Sequence, residues 1–342
     1  MKVSTTLFLA FLLSGLGVYY FLAETPPPKT AGESEPIKIL TLREGDSLSS
    51  LEIERADLKE TISLRRRESG WMMEAPVSYP AENFLVQGMV DALAFSRRAR
   101  RLPFKAALAK EFGFDAPEIK ISVQSEKEPK RRSLLLGARS PVVAGVYAHW
   151  QGEDEYFLVS PDLKASFERT VYSLRQKKLF RSGAEEMIEI KVKMPEKEFR
   201  VQRKGDRWHW SEPALANEIP LEKASELVYA FQSLYVKEFL DGEDPAKKEW
   251  GLEPPQAFLA VKEKGGKEEK LLLGVPEGRK EALYALRERE KLVVLVSEKK
   301  LRSLVTLFET TFFECQSDDQ RETGSGSRKD RESRRPVPEK SG

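Results

Sequence analysis

The chain alternates between two hydrophobic periods, and it runs through the same succession of them twice. Residues 60 to 66 and 197 to 203 alternate apolar and polar side chains, the period of a half-buried strand. With that period Trp71 and Met73 share one face, and Trp208 and Trp210 share the equivalent face. The spacing then becomes helical. Pro80 is expected to open a helix whose apolar side holds Leu85, Val86, Met89, Val90 and Leu93. Later, Pro220 suits a first-turn position ahead of Ala224, Leu227, Val228, Phe231, Leu234 and Tyr235. Short strand-like runs follow at Ile119 to Val123, Leu134 to Leu136, Val143 to Tyr147 and Phe157 to Val159, close enough together to predict an antiparallel meander. Ser160 and Ser297 read as N-caps of further helices.

The two passes are copies. At an offset of 137, Leu51 and Ile53 fall on Ile188 and Ile190, Ile62 and Leu64 on Phe199 and Val201, and Trp71 on Trp208. After small insertions, Glu111-Phe-Gly-Phe-Asp-Ala-Pro117 matches Glu249-Trp-Gly-Leu-Glu-Pro-Pro255, Leu134-Leu-Leu-Gly137 matches Leu271-Leu-Leu-Gly274, and Tyr147 matches Tyr284. The predicted fold class is therefore α+β: two tandem copies of an antiparallel-sheet module with covering helices, residues 37–173 and 174–313. Trp71, Trp208, Gly113, Gly251, Pro117, Pro255, Tyr147 and Tyr284 are read as structural positions of the repeat. The two glycines are expected to take a backbone angle closed to other residues, with the prolines leading into the next strand.

Ahead of the copies, residues 3 to 23 carry no charge, and a helix of that length is about 31 Å long, enough for a bilayer core. Tyr19, Tyr20 and Phe21 fit an interfacial belt, and Lys2 marks the inner end. The expectation is one transmembrane signal anchor over 1–23 in the inner (cytoplasmic) membrane, contacting the lipid bilayer through residues 3–23, with the bulk of the chain extracytoplasmic. A cleaved signal peptide is the competitor; the long apolar run and Phe21 ahead of Ala23 fit it less well. Residues 24–36 read as a Pro-rich linker, and 314–342 as a disordered tail.

The duplicated pattern resembles the bacterial family catalogued as domain of unknown function 4340. It is carried by the strand pairs ending in Trp71 and Trp208, the Phe/Trp-Gly-Phe/Leu-x-x-Pro element, the Leu-Leu-Leu-Gly strand end, the Tyr-Ala strand and the Leu-Val-Ser strand end. The likeness covers roughly residues 37 to 313. It departs from the usual pattern at Ala138 and at Asp206-Arg207, where turn-forming residues are expected. The resemblance implies a membrane segment followed by an α+β extracytoplasmic region. It also implies a partner class, since some members are encoded beside ABC-2 type transporter and gliding-motility components. It implies no chemistry.

Composition narrows the function by exclusion. Lysine plus arginine (57) nearly balances aspartate plus glutamate (55), which is no nucleic-acid footprint. A single cysteine, Cys315, leaves no internal disulfide framework, and with two histidines it leaves few soft metal ligands. His149 and His209 lie in predicted strands as packing or surface residues. Gly265-Gly-Lys267 lacks the rest of a phosphate loop and reads as a hairpin turn. No catalytic set, cofactor or metal site is expected, and the chain reads as a non-enzyme. A carboxylate pair of the glycosidase type is the weakest rival. One cluster stands apart: Arg97, Arg98, Arg100, Arg101 and Lys105 after the first helix, with Glu238, Asp241, Glu243 and Asp244 in the matching stretch of the second copy. It reads as a cation-rich helix end, as a docking patch for a lipid headgroup, an anionic polymer or an acidic partner, or as one half of a contact between the copies. The functional expectation is a membrane-anchored accessory or scaffold protein serving an ABC-type transporter or an envelope or gliding-motility complex, with transporter components as partners. The alternative is a binding protein for a small molecule or envelope polymer held in the cleft between the modules.

Overall fold

The computed structural model describes residues 13–16, 19, 37–278 and 281–332, with side chains to residue 317. Most of the expected anchor, and all of the linker over 24–36, lie outside the described residues; 13–16 and 19 are helical. No helix among the described residues is long and apolar enough to cross a membrane. The chain forms two compact units that divide between Leu174 and Arg175.

In the first unit, β1 (Leu48–Arg55), β2 (Glu60–Arg67), β3 (Gly70–Ala75) and β4 (Tyr79–Pro80) form a meander. Helix α1 (Asn83–Phe95) then carries the chain to the opposite sheet edge, where β5 (Arg100–Leu102) pairs with β9 (Tyr156–Val159). The chain returns to the centre as β6 (Ile119–Ser125), beside β1, and runs outward through β7 (Arg132–Arg139) and β8 (Val146–Trp150) to β9. The strand order is thus β4-β3-β2-β1-β6-β7-β8-β9-β5. Two short helices, α2 (Pro161–Phe167) and α3 (Val171–Leu174), close the unit, and Ser160 caps α2 by accepting the Asp162 N–H.

The second unit repeats this path through β10 (Met187–Lys193), β11 (Glu198–Lys204), β12 (Arg207–Glu212), β13 (Ala214–Ile219), α4 (Leu221–Gln232), β14 (Val236–Leu240), β15 (Ala257–Glu263), β16 (Glu268–Glu277), β17 (Ala282–Arg287) and β18 (Leu292–Ser297). Its order, β13-β12-β11-β10-β15-β16-β17-β18-β14, is the first order shifted by nine strands. Even the irregularities recur: a bulge at Leu48/Ser50 and at Met187/Glu189, and cis peptides before Pro76 and Pro213. The alternation read in the sequence is realised in the burial. Leu51, Ile53, Ile62, Leu64, Met73, Ile121 and Leu134 face the helix in the first unit. Val86, Met89, Val90 and Leu93 cover them from α1. In the second unit Ala224, Leu227, Val228 and Phe231 of α4 take that role.

Four expectations need correction. Pro80 does not open α1: it lies in β4, and the helix begins at Asn83. The Asn83 side chain accepts the Trp71 N–H at 2.6 Å and Ala81 N–H donates to the Trp71 carbonyl at 2.9 Å, so residues up to Ala81 are held against β3 as extended chain. The offset of 137 fails over the first strand. Leu51 pairs with Leu64 and Ile190 with Val201, so β1 and β10 correspond at 139, and Leu51 matches Ile190, not Ile188. The second hairpin is two residues shorter, turning at Pro195-Glu196 between Met194 and Lys197. Ala138 is a strand residue of β7, its N–H bonded to the Phe112 carbonyl, where the family pattern led us to expect a turn. Finally, the tail expected to be disordered over 314–342 is helical as far as Glu332, the rest lying outside the described residues: α5 runs Glu298–Glu332. Phe308, Phe312 and Cys315 are buried in the second core, and a packed helix extends its next turns at little cost because nucleation has already occurred.

Candidate docking surface

The basic cluster does not decorate the last turn of α1, which holds no cation. The helix stops at Ser96 in an extended conformation, and the following residues run along the free side of β9. Arg97 is exposed and bridges to Lys38. Arg98 turns inward: its side chain is only 11% exposed, it bonds Glu155, lies 3.7 Å from Glu153, and its guanidinium sits 4.5 Å above the Phe157 ring. Arg100 and Arg101 stand on β5, the edge strand, with Arg101 bonded to Glu155 at 2.8 Å. Lys105 is exposed beside a single turn of 3-10 helix at Ala106–Leu108. Arg98 is thus committed to holding β5 and the β8–β9 turn together. Arg97, Arg100, Arg101 and Lys105 form a cationic sheet edge, the usual means of keeping an edge strand from pairing with another chain.

The same edge of the second unit is mixed in charge, with exposed Lys237 beside Glu238. Arg100 pairs with Leu158, and its counterpart Glu238 pairs with Leu295. Asp241 is bonded to Arg175 at 2.5 Å, and Glu243 is bonded to Lys247.

Behind each edge, the outer face of the sheet carries a small second core. In the first unit Phe112 stacks on Tyr147 at 4.0 Å, and Phe114 and Tyr156 complete the cluster. His149 packs here, its Nδ1 3.0 Å from the Glu155 carbonyl oxygen and its ring 5.0 Å from Tyr156, so it is a packing residue. Burial and the nearby Asp115 carboxylate push the Tyr156 hydroxyl above its ordinary range. In the second unit Trp250 stacks on Tyr284 at 5.1 Å, but Leu252, Leu272, Leu286 and Val293 replace the other rings. Gly113 and Gly251 have positive φ, 81° and 62°, as the sequence predicts. The sequence reading missed the reason for the Leu-Leu-Leu-Gly element. A Cβ on Gly137 would meet the Phe112 carbonyl oxygen at 2.0 Å, and one on Gly274 the Trp250 oxygen at 1.9 Å. Pro117 and Pro255 each precede the next strand, β6 or β15, by two residues. Trp71 and Trp208 are buried against the covering helices' side of their sheets.

The remaining polar groups do structural work. Glu198 lies well inside a set of cations: a hydrogen bond from Lys191, with Arg200 and Lys193 adding to it, holds its carboxyl below the usual range. The Ser182 hydroxyl, and then Lys267, do the same for Glu263. His209 lies on β12 opposite Gln202 and Glu218, half-buried. Cys315 is buried in the second core. Among the described residues no three His, Cys, Asp or Glu side chains are grouped to hold a metal ion.

Comparison with known proteins gives one match. The model of the family described as "Domain of unknown function (DUF4340)" matches residues 71–250, more than half of the chain. No curated protein and no solved structure matches.

Proposed function

Since the chain belongs to the DUF4340 family, we propose that it is a membrane-anchored accessory or scaffold protein. Its two modules lie outside the cytoplasm and present a cationic edge to an acidic partner, such as a component of an ABC-type transporter or of an envelope or gliding-motility complex. The carrying observation is the divergence of two equivalent edges. The modules keep one topology, yet the edge strand of the first carries Arg100 and Arg101, where the second has Glu238 and Phe239 beside an exposed Lys237. A duplication that keeps its cores and changes the charge of one edge is adapted for contact. The uncharged run of residues 3 to 23 supports attachment to the bilayer. Cross-linking in native membranes followed by purification tests the reading. Integral membrane partners are expected with the wild-type chain and not after Arg97, Arg100, Arg101 and Lys105 are all changed to Glu. Recovery of no membrane partner, or of the same partners with the variant, overturns it.

A further inference from the structure

Helix α1 buries one apolar face and leaves a second one open. Phe84 and Phe95 are 87% and 72% exposed. They lie three helical turns apart and so share a side of the helix, separated by about 16 Å along its axis. Gln87, Gly88 and Asp91 fall between them on that side. Asp91 is the one charged residue of the stripe, and the Gln87 amide donates to its carboxylate at 2.8 Å. Two large apolar side chains exposed in register on one helix mark a contact surface more strongly than scattered ones do.

The second unit shows that the fold does not need these rings. The buried stripe of α1, Val86, Met89, Val90 and Leu93, corresponds to Ala224, Leu227, Val228 and Phe231 of α4. On that register Phe84, Gly88 and Phe95 fall on Glu222, Glu226 and Ser233. Helix α4 does expose Leu221 and Tyr229, but among those two carboxylates. The occupant is indicated by where the chain enters the first unit. Ile39 N–H bonds the Ser96 carbonyl at 3.0 Å, Arg98 N–H bonds the Ile37 carbonyl at 2.8 Å, and Lys38 bridges to Arg97. The chain arriving from residues 3–23 is therefore paired with the residues that directly follow Phe95. Residues 24–36 reach at most about 45 Å. A bilayer that holds residues 3–23 is thus presented to this end of α1 at high effective concentration. The module next in the chain to that bilayer has the apolar face, and the module after it has the acidic one. Lys38 and Arg97, both exposed at the same end, suit lipid phosphates.

We propose that the face of α1 carrying Phe84 and Phe95 lies on the bilayer surface, with the two rings among the headgroups and Lys38 and Arg97 beside the phosphates. A second copy of the chain could bury the same rings, but it would have no reason to prefer the module beside the membrane segment. The inference rests on the bilayer attachment proposed above and adds to it a fixed orientation of the first module.

The test uses the full chain in vesicles of phosphatidylethanolamine and phosphatidylglycerol, with an environment-sensitive NBD dye on Gln87→Cys; Cys315 is buried, so the new thiol is the reactive one. Blue-shifted emission that nitroxide-bearing lipid quenches is expected. The same dye on Ser225→Cys, the equivalent position of α4, should stay unquenched. Quenching should be lost in Phe84→Glu with Phe95→Glu, and the melting temperature should hold because both rings are exposed. Phe95→Ser, which installs the residue of the second unit, should weaken it and serves if the double variant does not fold. An unquenched dye at position 87 in a chain that floats with the vesicles overturns the proposal and leaves the attachment standing. A chain that does not float defeats both. A blue-shifted but unquenched dye reports a protein surface over the stripe, a second copy included, and overturns the proposal, as does quenching undiminished in the folded variants.

Discussion

Gly137 and Gly274 are the residues where a single methyl has the most to disturb. Each carries the close crossing of the aromatic-glycine turn, and the obstructing atom is a backbone carbonyl that cannot swing away. Gly137→Ala or Gly274→Ala is expected to cost about 1–3 kcal/mol, the usual range for overpacking. Gly88, exposed on α1 with nothing near its would-be Cβ, is the control: Gly88→Ala is expected to raise stability by up to about 1 kcal/mol. Thermal or urea melts of the three variants decide it, and a neutral Gly137→Ala would contradict the packing described. Glu198 makes a second prediction. Its carboxyl ionises below its unfolded value, so its contribution to stability is present above the unfolded pKa of about 4.3 and is lost as pH falls through the folded value. Glu198→Gln should therefore lower the melting temperature near neutral pH, and the difference should close in acid. A gap that persists at about pH 3 would assign the effect to packing rather than charge.

At the scale of the element, β5 shows what a one-dimensional reading of charge can and cannot resolve. The arginines after α1 were visible as a cluster, and helix-end stabilisation was a reasonable account of them. It failed because the fold sends these residues to the far edge of the sheet, and a strand of three residues, Arg100–Leu102, leaves almost no periodic signal. Arg98 looked like its neighbours and proved to be buried against Phe157 and Glu155. Arg98→Ala is expected to cost about 1–3 kcal/mol by leaving the Glu155 carboxylate poorly paired. Arg100→Val with Arg101→Val should keep the fold but promote self-association, measured by sedimentation, because the edge loses its guard. A similar limit explains the offset over β1. Strand side chains alternate with period two, so alignments at 137 and 139 place the same face inward, and only the pairing of Leu51 with Leu64 and Ile190 with Val201 separates them. Helix α5 was cut short in the sequence reading because polar composition says nothing about the apolar stripe that precedes it. Phe308, Phe312 and Cys315 anchor that stripe. Ending the chain after residue 317 should leave the melting temperature unchanged, while ending it after residue 307 should unfold the second unit.

At the scale of the molecule, the duplication was legible because tryptophans, glycines and prolines mark positions that few residues can replace. Trp71 and Trp208 fill the two cores, and Gly113 and Gly251 take the positive φ their turns require. The features that distinguish the copies were not legible. The second hairpin is two residues shorter than the first, and that difference becomes visible only when the strand pairing says which positions correspond. The proposed function requires both modules outside the cytoplasm on a bilayer anchor. Protease added to intact spheroplasts tests this most directly, combined with carbonate washing of the membranes. The prediction is that the full chain stays in the washed membrane pellet and that both modules are degraded from outside without lysis. A chain released by carbonate, or modules protected until the cells are broken, would contradict it.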